Sequence, residues 1–444
     1  MVTGRQKKNN QSLDYSVLVR LLRQTLSGAD EKADIRKLFP DENGGCFYSG
    51  ENGSISLSEE ATKTFHEFQR ALSQDPQIGP LVSMNTISTQ AAELLIQMTD
   101  SHSISDEDLR AKIKELAQKL RATISEWRIF VPVDNLDLAH LKKIKIGRVI
   151  LHDQGTCLSS LKRSIAALVG ENRRMTATAK RGLVDHTEKN LERWSTSSGV
   201  IAEVVVTADS NAASGLAQEE VSTALNLLRL YTPLIFRRDA APAIGLRGAN
   251  PIVIRPYAML GAKDPKWFFG GTKHGLDTYE LTSERLNHIR KHGSFNRLSL
   301  MLAKTDMTTM ESMLARGVRW IGQGILAVDP PAKVLHFAVA LELMMTEGEK
   351  ANNDEGGITH QVATRLAHLL GRNLQDRATV FSEAARLYDL RSHVAHEGET
   401  DITTADVMNL ETYAIRALLR LAKHLNRWPE HKDFRDWVRN RELR

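Results

Sequence analysis

The amino-acid sequence predicts a multidomain protein of class α + α/β, with a helical N-terminal segment, a mixed α/β middle domain and an all-α C-terminal helical bundle. Its 444 residues are too many for one ordinary hydrophobic core. Strand-like segments are concentrated in the middle of the chain. In the last third, the apolar residues recur at helical spacing and not in strand-like alternation. The predicted divisions are 1–126, 127–300, 305–428 and a polar tail at 429–444.

Composition excludes some functional classes. Apolar residues make up 41% of the chain and charged residues 25%, which is ordinary for a soluble globular protein. No apolar run approaches the roughly 18 residues that a membrane span needs, and no apolar segment follows the basic N-terminus. Two cysteines form no disulfide framework. We therefore expect a cytoplasmic protein that does not enter a membrane.

Two basic segments are candidates for binding RNA. The net charge of +5 favours a polyanionic partner only weakly, but residues 162–193 contain eight Lys or Arg against four Asp or Glu. A second segment, Arg285 to Arg297, is also basic. A solvated helix surface is the alternative interpretation of such segments. The candidate residues are Lys162, Arg163, Arg173, Arg174, Lys180, Arg181, Arg290 and Lys291.

The N-terminal segment shows helical spacing at Tyr15 to Leu26 and at Glu59 to Leu72, separated by a stretch rich in Gly, Asn and Ser at 43–54. Ser105 is a predicted N-cap, followed by a charged helix from about Asp106 to Glu126. No catalytic motif is evident here.

The middle domain alternates between strands and helices. Four segments are typical of strands, and a helix is predicted from Glu219 to Tyr231. We find no Gly-rich phosphate loop, metal-ligand cluster or nucleophile motif of recognised spacing, so we expect a recognition or sensing role without a cofactor or metal. The strand-like segments are WRIFVPV at 127–133, KIKIGRVILH at 143–152, VIAEVVVTA at 200–208 and PIVIRPYAM at 251–259.

Five amphipathic or apolar helices are predicted between Met307 and Trp428. The second begins at Pro330-Pro331 and is apolar on nearly every side, which marks it as the centre of a bundle. Glu342 is its one acidic residue, and Arg365 lies against the apolar stripe of the next helix. Glu342 could orient Arg391 or neutralise Arg365, or it could form a purely structural ion pair.

The fourth of these helices carries an arginine within its apolar stripe. Arg391 shares a face with Val380, Ala384, Leu387, Val394 and Ala395 at 3.6-residue spacing. A buried guanidinium must be paired, hydrogen-bonded or directed at an anion, because it cannot lose its proton. His396 follows five residues later, about 140° around the helix, where Gly398 supplies a possible C-cap. The two side chains could converge only through that turn or through a second chain.

Arg391-Ser-His-Val-Ala-His396 resembles the Arg-x4-His motif of the HEPN ribonucleases. The order PPAKVLHFAVALELMM, ITHQVATRLAHLLG, ARLYDLRSHVAHEG resembles the Apea-type branch of that family, over roughly Met307 to Trp428. The resemblance implies a metal-independent endoribonuclease in which Arg391 and His396 are catalytic and two copies of the motif line the cleft of a homodimer. Ser392 stands where these nucleases often carry a larger polar residue, and His393 is left out of the site.

The resemblance further implies a toxin or anti-phage defence effector, restrained by its N-terminal domains until an unknown trigger or inhibitor acts. Two alternatives stay open. A HEPN-like domain can persist as a dimerisation module in a non-catalytic protein that binds nucleic acid or nucleotide. Arg391 could also bond helix-end carbonyls while His396 caps the helix.

Overall fold

A computed structural model describes most of the chain, which divides by its internal contacts into two compact units. The first contains residues 1–129 with 205–217, and the second contains 130–204 with 218–444. The domain boundaries predicted from the sequence stay a prediction. The structure describes residues 13–30, 46–50, 53–99, 104–171, 176–195, 199–235, 243–247, 253–260, 267–274, 278–346, 357–397 and 401–442.

The described part of residues 1–129 packs helices and a small antiparallel sheet around one apolar core. Asp14, Ser58 and Ser105 cap helices α1, α2 and α4 by accepting backbone N–H groups of the first turn. Phe65 and Phe68 are fully buried in the core. The elements are α1 Tyr15–Ser27, β1 Ala29–Asp30, β2 Cys46–Gly50, β3 Gly53–Leu57, α2 Glu59–Ser73, α3 Met84–Thr99 and α4 Asp106–Ala122.

Two details of this unit differ from the sequence interpretation. The Gly- and Asn-rich stretch at 43–54 was expected to separate two helices, but strands β2 and β3 pair there as an antiparallel hairpin. The Asn52-Gly53 sequence at the start of β3 is a hairpin signal that the composition-based interpretation did not use. Helix α4 also ends at Ala122, four residues earlier than predicted, because Ser125 already begins a strand.

The predicted mixed α/β character of the middle region is confirmed at the level of its elements. A five-stranded sheet has the order β6-β7-β8-β4-β9, and the pairs β6–β7, β7–β8 and β4–β9 are antiparallel. Its strands are β4 Ser125–Asp134, β6 Lys143–Ile146, β7 Val149–Asp153, β8 Val200–Ala208 and β9 Gly245–Leu246. A further pair, β5 Leu136–Asp137 with β12 Tyr279–Glu280, is parallel, and β10 Val253–Leu260 pairs antiparallel with β11 Trp267–His274.

The segment KIKIGRVILH is a hairpin and not the single strand that we predicted. Ile146 pairs with Val149, so the chain reverses at Gly147 and Arg148. Gly147 has a φ of 60°, and an added Cβ would lie 3.2 Å from the Leu302 Cβ, so glycine suits both the turn and the close packing.

Helices connect these strands. Helices α5 and α6 form a helical hairpin between the paired strands β7 and β8, and α7 includes the predicted helix at 219–231 except for its last two residues. The ranges are α5 Gln154–Glu171, α6 Ala177–Ser195, α7 Ser210–Arg229, α8 Thr232–Ile235, α9 Ser283–His292 and α10 Phe295–Leu302.

The C-terminal region is all-α in the part of the chain that the structure describes beyond residue 307, as predicted. Thr308 and Glu311 form a capping box at the start of α11. Helix α12 begins at Pro330 and buries residues on most of its sides, including Phe337, Leu341 and Met344. The helices are α11 Thr309–Leu326, α12 Pro330–Thr346, α13 Gly357–Leu370, α14 Leu374–Glu397, α15 Thr404–Lys423 and α16 His431–Glu442.

Two details of this region differ from expectation. Ala395 was placed on the buried stripe of α14 but is exposed, while Val380, Ala384, Leu387 and Val394 are buried. The chain after Pro429 was predicted as a polar tail, either a terminal helix or a frayed end, and it forms helix α16 with a buried face. His431, Phe434 and Val438 of that helix are buried.

Candidate functional site

Arg391 lies on the inner side of α14 but is not fully buried. Its side chain is 30% exposed, and Nη2 lies 3.6 Å from Oε2 of Glu342 on α12, whose side chain is 29% exposed. Glu342 is therefore the counter-charge of Arg391. The distance is that of an ion pair without a close hydrogen bond.

Tyr388 contacts both members of the Arg391–Glu342 pair, and the sequence analysis did not identify it. Its hydroxyl donates a 2.7 Å hydrogen bond to the same Glu342 Oε2, and its ring centroid lies 5.8 Å from the Arg391 Cζ. Burial, and then the hydrogen bond to Glu342, raise the pKa of the Tyr388 phenol, so it stays a donor. The available signal was spacing, because Tyr388 precedes Arg391 by three residues and so lies on the same side of the helix.

The Arg391 guanidinium keeps unused donor capacity. Nε is shielded from solvent and has no hydrogen-bond partner among the residues that the structure describes. A guanidinium carries five N–H donors, and here one ion pair of 3.6 Å is its closest polar contact to a described residue. Because the side chain is still 30% exposed, the accessible part of the fork beside the Glu342 carboxylate is suited to binding a phosphate.

His396 lies in the last turn of α14 and is exposed. It forms no hydrogen bond or ion pair with any described residue. In a continuous helix, five residues separate it from Arg391 by about 140° of rotation and about 7.5 Å of rise. The helix continues to Glu397, so within one chain the two side chains do not share a face. Gly398, the predicted cap, lies outside the described residues.

Ser392 and His393 belong to the His396 side of the helix. Ser392 is half-buried and precedes His396 by four residues, so the two side chains lie one above the other. His393 is exposed and precedes His396 by three residues. Ser392 therefore lies on the side of the helix that carries His396 and not on the side that carries Arg391.

Arg365 was considered a supporting residue, and the structure gives it a contact with the backbone. It is 8% exposed on α13, and its Nη1 donates a hydrogen bond to the carbonyl of Met345 in the last turn of α12. This bond satisfies a carbonyl at a helix C-terminus, where a cation is also favoured by the helix dipole.

The candidate RNA-binding residues lie on three helices. On the α5–α6 hairpin, Lys162 pairs with Glu188 at 3.8 Å, and Nε of the exposed Arg163 donates to the Ser159 carbonyl. Lys180 is half-buried and Arg181 exposed on α6, while Arg290 and Lys291 are exposed in the last turn of α9. Arg173 and Arg174 lie outside the described residues.

The described residues contain no group of three or more His, Cys, Asp or Glu side chains placed to hold a metal ion. Among the same residues, none of the helices has the length and apolar character required to cross a membrane. Comparisons with protein-family models, with curated proteins and with solved structures found no match for this chain.

Proposed function

We propose that the chain is a metal-independent endoribonuclease of the HEPN type, active as a homodimer, in which Arg391 and His396 carry the chemistry. The observation that supports it best is the state of Arg391. Its guanidinium lies beside Glu342 and the Tyr388 ring, while its side chain stays 30% exposed and forms no close hydrogen bond with a described residue.

The proposed reaction is an internal transesterification of RNA. The ribose 2′-hydroxyl attacks the adjacent phosphorus and loses its proton to a base, the bond to the 5′-oxygen breaks, and that oxygen receives a proton from an acid. The products end in a 2′,3′-cyclic phosphate and a 5′-hydroxyl. An imidazole exchanges protons near neutral pH, and a guanidinium stabilises the charge that develops on the phosphoryl oxygens. His396 is the acid that protonates the 5′-oxygen, water accepts the proton of the 2′-hydroxyl, and Arg391 stabilises the charge on the phosphoryl oxygens.

A homodimer accounts for the arrangement of the two residues. Within one chain, Arg391 and His396 are about 140° apart around α14. A second copy that packs against this helix can place its own His396 near the first Arg391, and two-fold symmetry then produces the same pair twice. A cytoplasmic toxin or defence effector, kept inactive by its N-terminal region until triggered, fits such an enzyme because uncontrolled RNA cleavage harms the cell that makes it.

The same rotational separation favours a second candidate function. If no second copy brings the pair together, the chain is a nucleic-acid-binding regulatory protein with a HEPN-like bundle and no turnover.

Incubation of the purified full chain with total RNA in EDTA tests the proposal. We expect fragments with cyclic-phosphate ends from the wild-type chain and none from His396→Ala, which changes an exposed side chain and leaves the melting temperature nearly unchanged. His393→Ala is the matched control, because it removes an exposed histidine from the same turn. Growth arrest on induced expression is the parallel readout where a cellular trigger is needed.

Two results would contradict the proposal. One is full activity in His396→Ala. The other is gel retardation of RNA without cleavage, together with no growth arrest, which would support the binding protein instead.

A further inference from the structure

Helix α15 carries a row of cations that the sequence interpretation did not single out. Three of the four side chains recur at intervals of four and three residues, which places them on one side of α15, and the fourth lies in the turn that follows Lys423, the last residue of the helix. All four are exposed. We call this row the basic stripe, and its members are Arg416, Arg420, Lys423 and Arg427.

The basic stripe lacks counter-charges. None of its four side chains forms an ion pair with any residue in the part of the chain that the structure describes. The two acidic residues of α15 point elsewhere, since Glu411 is about 140° away around the helix and Asp406 is at the other end, paired at 2.8 Å with Arg386. Ordinary helix surfaces alternate charges of both signs, so four unpaired cations in a row are unusual.

A neighbouring helix adds a fifth cation. Arg297 of α10 donates a 3.0 Å hydrogen bond to the carbonyl of Ala422 and another to the carbonyl of Lys423. These bonds satisfy carbonyls at the C-terminal end of α15 and fix a guanidinium beside Lys423. His424 lies within the same group, with its ring centroid 5.0 Å from that of Trp428.

We propose that the basic stripe binds the phosphodiester backbone of RNA at a surface separate from the Arg391 site. Cations about one helical turn apart, roughly 5.4 Å along the axis, form an extended array, which suits a polymer of regularly spaced phosphates better than one small anion. Three of the four are arginines, whose fork matches phosphate oxygens. The choice of RNA among polyanions rests on the proposed function.

The surface chemistry favours RNA over a protein or a membrane partner. Protein interfaces centre on exposed aromatic or apolar anchors, and membrane-bound helices need an apolar face beside the basic one. Among the described residues of α15 and the turn after it, no large apolar side chain is exposed, and Trp428 is only 3% exposed. On α10, Leu300 is 70% exposed, but it is a single apolar side chain beside five cations. Binding by the stripe is therefore mainly electrostatic.

The stripe is well separated from Arg391. Helices α14 and α15 run antiparallel, because Glu383 contacts Asn409 and Tyr413 while Arg386 contacts Asp406. Counting residues from these contacts at 1.5 Å each places Arg391 and Lys423 roughly 30 Å apart along the bundle. The stripe would thus hold a distant part of the RNA and raise affinity without touching the scissile phosphate.

The test measures binding without cleavage. The full chain is titrated with a labelled single-stranded RNA in which every ribose is 2′-O-methylated, so that no 2′-hydroxyl can attack. Dissociation constants are measured by fluorescence anisotropy across a range of salt concentrations. The stripe variant replaces all four cations by glutamine, as Arg416→Gln, Arg420→Gln, Lys423→Gln and Arg427→Gln.

We expect the stripe variant to bind at least about 10-fold more weakly near 0.1 M salt, and its slope of log K against log salt to be shallower by about 3, since each phosphate contact on a single strand contributes about 0.7. The matched control removes three arginines and one lysine that are exposed in the first compact unit, and it should bind like the wild type. Its changes are Arg20→Gln, Arg70→Gln, Arg110→Gln and Lys114→Gln.

Several outcomes would overturn the inference. They are an unchanged slope in the stripe variant, an equal loss in the control, or stripe-dependent binding to anionic lipid vesicles without stripe-dependent binding to RNA. If the fourfold variant does not fold by circular dichroism, the single changes Arg420→Gln and Lys423→Gln should each lower the slope by about 0.7. Failure of the proposed nuclease is seen separately, because this probe cannot be cleaved by 2′-hydroxyl attack.

Discussion

The two ends of the C-terminal bundle use arginine in opposite ways. At one end, Arg391 is partly buried and is held by a carboxylate and a tyrosine ring. At the other end, the four cations of the basic stripe are exposed and have no ion-pair partner among the described residues. Arg297, beside them, is fixed by backbone carbonyls and not by an acid.

The difference corresponds to two tasks: orienting one guanidinium toward a single phosphate, and attracting a polyanion to a surface. A guanidinium that acts on one phosphate in a transition state must be held in one geometry, and a carboxylate and a packed ring provide that at the cost of part of its net charge. A surface that attracts a polyanion needs net charge more than geometry, so its cations need no acidic partners. Substitutions at Arg391 should therefore change the cleavage rate, and substitutions in the basic stripe should change the affinity for RNA and its salt dependence.

The largest expected effect is on cleavage by Arg391→Ala. Loss of a guanidinium that stabilises developing charge should lower the cleavage rate on the order of 100-fold to 1,000-fold. Stability should fall by no more than about 1 kcal/mol, because the ion pair is partly exposed and Tyr388 still satisfies Glu342. Single-turnover cleavage and thermal unfolding measure the two.

Arg386→Ala is the matched control for that experiment. Arg386 lies five residues earlier on α14, and its ion pair with Asp406 is also partly exposed. It should lose similar stability and keep full activity. A loss of several kcal/mol in Arg391→Ala would instead identify Arg391 as a structural residue.

A smaller effect is expected from Tyr388→Phe, which removes the hydroxyl that orients Glu342. The cleavage rate should fall about 10-fold and stability by about 1 kcal/mol. Tyr413→Phe is its control, because the Tyr413 hydroxyl donates a 2.6 Å hydrogen bond to Glu383 in the same manner but away from Arg391. If both variants lose activity equally, Tyr388 acts only through the stability of the bundle.

Apolar periodicity was sufficient to predict the helices of the bundle. The apolar stripe predicted at the position of α11 consists of Leu314, Val318, Ile321 and Ile325; its first three residues are fully buried and Ile325 is half-buried. Helix α12 begins at Pro330, as predicted. Such predictions succeed because each helix must bury one side, whatever its neighbours are. The same rule indicated that Arg391 faces inward.

The partners of these side chains could not be predicted in the same way. Spacing along α14 does not show that Glu342 of α12 lies opposite Arg391, or that Tyr388 shares that carboxylate. Both depend on how two helices cross. The basic stripe was visible at positions 416, 420, 423 and 427, but whether acids from other helices neutralise it is also a tertiary property. The turn at Gly147 was missed because alternation continues on both sides of it.

The smallest expected effect is a shift in the pKa of His424, which reports the charge density at the stripe. Burial lowers this pKa below the usual 6.5, and the neighbouring Arg420, Arg427, Lys423 and Arg297 lower it further. Neutralising the first three as Arg420→Gln, Arg427→Gln and Lys423→Gln should raise the pKa, although burial will keep it below 6.5. A histidine-resolved NMR titration measures the change.

His336 is the internal control in that titration, because burial alone lowers its pKa and no stripe cation contributes.

The lowered pKa of His424 also makes the stability of the folded chain depend on pH. A histidine whose pKa is lower in the folded state takes up its proton at a lower pH there than in the unfolded chain. Its contribution to stability is therefore present above pH 6.5 and is lost as the pH falls through the folded pKa. The triple variant should therefore lose less stability than the wild type on acidification from pH 6.5. An unchanged pKa of His424 in that variant would mean that the stripe is already screened by solvent or by chain outside the described residues. The contrast between a paired arginine at one end and unpaired cations at the other would then be lost.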